Sequence, residues 1–221
     1  MQEEELLQPV NIQEDPEGWI AGIAQEIRLG FAKLAHISRG VSVFGSARPR
    51  PGDPDYELGV QVGRKLSEHG FEVITGGGPG LMEAANRGAH EAGGISVGIG
   101  IELPHEQSFN EYLTLEVECL HFFTRKLMFV RYAKAFVVLP GGFGTMDELF
   151  EALTLMQTQK IHDFPVILIG SEYWNPLIDW FQNQLVMRGF IHQADMNLFT
   201  LTDDLDDMVK IISAYSLPKG L

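Results

Sequence analysis

The stretch AFVVLPGGFGTMDELF, residues 135–150, decides the fold. Its first five residues, Ala135–Leu139, are apolar without the polar alternation of a half-solvated strand, so a strand buried on both faces is expected. Pro140 and three glycines then make a turn, and a helical pattern begins at Thr145. The stretch FEVITGGGPGLME, residues 71–83, repeats this order, with a helix opening near Pro79. Further outward, short apolar runs lie at Val41–Phe44, Ile95–Ile101, Leu115–Leu120, Pro165–Ile169 and Leu198–Leu201. Helix-like segments near 56–68, 80–92, 123–133, 145–159, 175–188 and 204–215 separate the runs. Strands alternating with helices imply right-handed βαβ units on a parallel sheet. The expected class is α/β, a Rossmann-like doubly wound sheet. Ahead of it, Trp19, Ile20, Ile23, Ala24, Ile27, Phe31 and Leu34 recur at helical spacing and add an N-terminal helix over about 17–37. The expected organisation is one domain, 16–221, behind a mobile acidic segment, 1–15.

Composition narrows the function. The 221 residues carry a formal charge of −14, which excludes a non-specific nucleic-acid binder and an anionic membrane surface as partners. The acidity is unevenly placed: residues 1–30 hold seven acidic side chains against one basic, and residues 195–221 hold five against two. The body between is far less acidic, so a small anion is still an admissible ligand. With one cysteine, Cys119, there is no disulfide framework, and no signal peptide or membrane span is apparent, so a cytoplasmic location is expected. The apolar run around Cys119 reads as an inert buried thiol. His36, His69, His90, His105, His121, His162 and His192 form no ligand pair at helical or loop spacing, and neither a metal nor a cofactor is expected. His121, placed by the pattern within a strand, reads as a core residue.

In an open parallel sheet, ligands sit beyond the C-terminal strand ends. Three turns lie there. One holds Gly45 and Ser46 within Gly45-Ser46-Ala47-Arg48-Pro49; the second holds Gly77, Gly78 and Gly80; the third holds Gly141, Gly142, Gly144 and Thr145. Glycines running into helix N-termini make an anion cradle from backbone amides. Both the Walker A spacing and the dinucleotide G-x-G-x-x-G spacing are missing, which points to a nucleoside monophosphate or sugar phosphate. Thr145-x-x-Glu148 is also the spacing of a capping box, in which both side chains merely close the helix end. Against that stands the cost of two adjacent carboxylates, Asp147 and Glu148, beside an anion. Met82, Glu83 and Asn86, on the first turns after the triple glycine, are candidate pocket residues.

TGGGPGLMEAAN (75–86), FTRK (123–126) and PGGFGTMDE (140–148) together resemble the LOG family of cytokinin riboside 5′-monophosphate phosphoribohydrolases, long labelled lysine decarboxylases. The resemblance implies the Rossmann-like fold and hydrolysis of the N-glycosidic bond of a nucleoside 5′-monophosphate. The substrate would be AMP or an N6-substituted AMP, the products free base and ribose 5-phosphate. It also implies that Arg125 and Glu148 are the catalytic pair, that Gly141–Thr145 hold phosphate and ribose, and that Lys126 touches substrate. The segment Pro104-His105-Glu106 resembles a stretch carrying a further contacting glutamate, Glu106. A homo-oligomer, dimer or larger, is implied as well. From the residues, Arg125 can clamp the phosphate, orient Glu148 or donate to the departing base, and Glu148 can act as base, electrostatic stabiliser or nucleophile. The alternative in another class is a non-catalytic nucleotide or cofactor carrier, which could lose Arg125 or Glu148 without cost.

Overall fold

A computed structural model describes residues 15–102, 109–162 and 164–215. Helix α1, Pro16–Leu34, opens where Asp15 accepts the Gly18 N–H at 2.9 Å and Pro16 supplies a preset first turn. The chain continues through β1 (Gly40–Phe44), α2 (Pro54–Glu68), β2 (Glu72–Thr75), α3 (Leu81–Glu91), β3 (Ser96–Ile101) and β4 (Leu115–Cys119). There follow α4 (Phe122–Tyr132), β5 (Ala133–Val138), α5 (Phe143–Gln157), β6 (Val166–Leu168), α6 (Ser171–Trp180), β7 (Thr200–Leu201) and α7 (Leu205–Ala214). All pairings are parallel, in the order β4-β3-β2-β1-β5-β6-β7. The sheet is Rossmann-like and doubly wound, as its apolar runs foretell.

Each face of the sheet has its own core. On one, Leu34 of α1, Met128 and Phe129 of α4, Leu149 of α5 and Trp174 of α6 are buried together. On the other, Leu66 of α2, Leu81 and Ala85 of α3, and Met208 and Ile212 of α7 are buried. Because β2, β3 and β4 succeed one another on one side of β1 while β5, β6 and β7 lie on the other, the winding reverses between β1 and β5. That reversal opens a crevice at their C-terminal ends.

Three expectations change. Edge strand β4 alternates, with Val117 and Cys119 buried and Glu116 and Glu118 exposed, because helices cover only one of its faces. His121 lies outside the strand and stands at the N-cap of α4. The helix expected over 175–188 starts earlier, where the Asp203 carboxylate accepts the Gly170 and Ser171 N–H groups at 2.9 Å each. It contains Pro176 and widens into a π-helical turn at Phe181–Val186. Cys119 is buried as expected, and desolvation pushes its thiol up to about 11. Among the described residues, no helix is long and apolar enough to cross a membrane.

Candidate active site

The turns after β1, β2 and β5 meet over the crevice. Ser46 joins them: its N–H donates to the Pro140 carbonyl at 3.0 Å, and its own carbonyl accepts the Leu81 N–H at 2.8 Å. Gly80, at φ +69°, passes so near the β1 turn that a Cβ would stand 2.7 Å from Ala47 Cα. Between the turns lies a cavity of about 830 Å³. Helix α5 starts on its wall at Phe143, with Gly142 at the N-cap and no side chain closing the end. The Thr145–Glu148 capping box is therefore not formed. The first N–H of this end to find a carbonyl is that of Met146, bonded to Gly142 at 3.0 Å; those of Phe143, Gly144 and Thr145 precede the first helical bond. An anion held there would meet both the helix dipole and these free donors.

One turn into α5, Glu148 is buried, at 7% exposure, and its Oε2 has no hydrogen-bond partner among the described residues. Its Oε1 lies 3.6 Å from Lys126 Nζ. Burial drives the carboxyl up to about 7, the charges of Glu151 and Asp147 add to the rise, and Lys126 and Arg125 oppose it. Arg125, from α4, is held by two backbone carbonyls: Nε donates to Ile99 at 2.7 Å and Nη2 to Gly76 at 3.2 Å. Its guanidinium lies over the Phe129 ring, 5.3 Å from the centroid. Burial lowers its pKa while the Glu148 charge raises it, and an arginine stays charged through such a contest. No carboxylate among the described residues pairs with it, so Arg125 does not orient Glu148 by a direct bond.

Two supporting layers were not legible in advance. Behind the triple glycine, Thr75 Oγ1 accepts the Gly77 N–H at 2.9 Å and donates to buried Asn86. Asn110 Nδ2 donates to the Gly77 and Gly78 carbonyls at 3.0 and 3.1 Å, which fixes that turn from outside. The second layer is Glu26 of α1, buried at 8% exposure. Its carboxylate accepts from Leu120 N at 3.0 Å, His121 N at 3.3 Å, Thr124 Oγ1 and His121 Nδ1 at 2.8 Å. Burial pushes the Glu26 carboxyl up, but these donors outweigh it and hold it below the ordinary range. Glu26 thus pins the turn that leads into the helix carrying Arg125, holding the N–H groups of Leu120 and His121 just ahead of its first residue. The signal for it was a lone acid at the apolar-face spacing between Ile23 and Gly30.

Gly45, Ser46, Gly77, Gly78 and Met82 line the cavity, as do Arg125, Gly141, Gly142, Gly144, Thr145 and Glu148. Lys126, Gly80, Glu83 and Asn86 do not. The Lys126 ammonium is instead shared by Glu151 at 2.8 Å, Asp147 at 2.9 Å and Glu148. Burial would lower its pKa, but Glu151 and Asp147 outweigh that and hold it high. Glu83 is turned toward Tyr56, which donates to it at 2.7 Å, and Asn86 is buried beneath the glycine turn. Glu106 lies outside the described residues.

The family model described as possible lysine decarboxylase matches residues 82–212. A protein of Oryza sativa subsp. japonica, named a probable cytokinin riboside 5′-monophosphate phosphoribohydrolase, is 32% identical over 188 residues, 81% of this chain and 74% of its own length. The chain belongs to the LOG family. A cytokinin riboside 5′-monophosphate phosphoribohydrolase of Rhodococcoides fascians is 30% identical to this LOG-family chain, over 82% of it and 92% of the relative. Among solved structures, the molybdenum cofactor binding protein of Rippkaea orientalis matches at a TM-score of 0.56 and 22% identity, over 79% of this chain and 94% of its own. That last likeness is one of fold.

The raised Glu148 carboxyl has a consequence for stability. Folding disfavours its ionised form, so its contribution is best below the ordinary carboxylate pKa and is lost as pH climbs through about 7. Glu148→Gln is therefore expected to gain about 1–3 kcal/mol over the unsubstituted chain at pH 8 and nearly nothing at pH 4.5. Denaturant melts at the two pH values check this; an equal difference at both would contradict it.

Proposed function

We propose that this chain hydrolyses the N-glycosidic bond of a nucleoside 5′-monophosphate, AMP or an N6-substituted AMP, to free base and ribose 5-phosphate. The observation that carries the reading is the unpartnered Oε2 of buried Glu148, one turn beyond a helix end whose N–H groups are free. Phosphate on those amides would bring the ribose along the helix toward the carboxylate. As the C1′–N bond breaks, positive charge builds on the ribose, and a carboxylate beside C1′ stabilises it. Water adds to C1′, its proton passes to Glu148, and the base leaves with the bonding pair and takes up a proton. A carboxyl raised to about 7 is matched to accepting that proton near neutral pH. Arg125, with two of its N–H groups committed to carbonyls, keeps others for the ligand. The names of the LOG-family relatives support the same reaction. A carrier, by contrast, has no use for a buried carboxylate with open lone pairs.

The reading also includes a cytoplasmic homo-oligomer. Phe143, at 97% exposure, stands out from the cavity mouth with Phe122, and Phe123, Leu127 and Phe150 are exposed on the same two helices. Apolar side chains in that density suit a second copy of the chain. Sedimentation equilibrium should find a dimer or larger species; a monomer at micromolar concentration would contradict this part.

Chromatographic assay of free base released from AMP and from N6-prenyl-AMP tests the reaction. Release is expected, with kcat/KM rising as pH passes through about 7. Glu148→Gln should lower kcat by ~100-fold or more and remove that limb of the profile. Binding of both nucleotides without any release of base would overturn the reading.

A further inference from the structure

The cavity presents a charge problem. Three carboxylates, Glu118, Asp147 and Glu148, line it against two guanidiniums, Arg125 and Arg48. A phosphate ester brings up to two more negative charges, and backbone amides carry only partial positive charge. A full cation beside those amides would offset that charge. Lys126 is absent from the wall and already shared among three carboxylates. Arg125 is buried beside Glu148 and tied to Ile99 and Gly76.

We propose that Arg48 reads the 5′-phosphate and so sets the preference for a nucleoside monophosphate over the nucleoside; this rests on the substrate class proposed above. Arg48 lies in the β1 turn, at the point where the winding of the sheet reverses. Ser46, two residues before it, is bonded to both neighbouring turns through Pro140 and Leu81. The Arg48 N–H donates to Ser46 Oγ at 3.2 Å, and Pro49 restricts its backbone from the other side. The side chain therefore leaves a fixed stem. It is exposed, and among the described residues no carboxylate pairs with it. A planar fork with free N–H groups at the edge of an anion cradle is matched to phosphate oxygens. Glu148 and Arg125, deeper in the same cavity, are left to the ribose and base. In this arrangement one arginine selects the phosphate and the other serves the bond that breaks.

Calorimetric titration of the full chain in a Glu148→Gln background, in which turnover is suppressed, with AMP and with adenosine tests the assignment. The affinity ratio of AMP to adenosine should fall about 10- to 100-fold in Arg48→Ala, the loss of a charge-assisted hydrogen-bonded pair. Arg48→Lys, which keeps the charge without the fork, should restore part of it. An unchanged melting temperature is expected for both variants, since the side chain is exposed. An Arg48→Ala chain with an unaltered ratio, whether both affinities hold or both fall alike, would overturn the proposal. Because binding is read in the Glu148→Gln background, AMP binding through Arg48 there, with no release of base by the unsubstituted chain, would defeat the hydrolase reading alone.

Discussion

The site depends on a carboxylate buried in the wall of the ligand cavity, whose second oxygen meets no donor among the described residues. Burying Glu148 this way costs free energy that the nearby charges of Lys126 and Arg125 offset only in part, since an unpaired buried polar atom forfeits its hydration. The sheet imposes the position. Glu148 follows Thr145 by three residues on a helix whose start is fixed by the β5 turn, and Leu149 beside it is fully buried in the core. Lys126 could have neutralised the carboxylate, but Asp147 and Glu151 hold its ammonium closer, at 2.9 and 2.8 Å against 3.6 Å. The result is a carboxyl poised near neutrality, open on one side to a ligand cavity.

Much of the architecture could be read from residue pattern because parallel strands buried on both faces leave a direct trace. Val41–Phe44 and Ala135–Leu139 are apolar at every position apart from Ser42, whose hydroxyl bonds the Phe129 carbonyl. What escaped the pattern depends on distant contacts. The start of α6 is set by Asp203, more than thirty residues onward. The place of His121 is set by Glu26, ninety-five residues back. Neither is visible in a window of local sequence.

The site divides the same way. Glycines bordering helix starts and Glu148 just beyond one of them are visible in the strand-turn-helix spacing, whereas Arg125 stands out only through the family resemblance. Adjacent residues on a helix point in different directions: Arg125 faces the cavity, and Lys126 faces the acids of α5. Asn110 carries no local signal, since its partners lie more than thirty residues back, on the β2 turn. Arg48 was in view within the first turn, yet only the placement of the other cations makes it matter. The overall charge of −14 bears little on any of this, for an anion site needs donors at one spot.

The central claim is that Glu148 is held near neutrality by burial and faces the ligand. Carbon-13 NMR titration of the glutamate carboxyls, with the Glu148 signal assigned through Glu148→Gln, tests it directly. A midpoint near 7 that shifts when the product ribose 5-phosphate is added is the expected result. A midpoint at the ordinary glutamate value, near 4.3, indifferent to ribose 5-phosphate, would contradict the account.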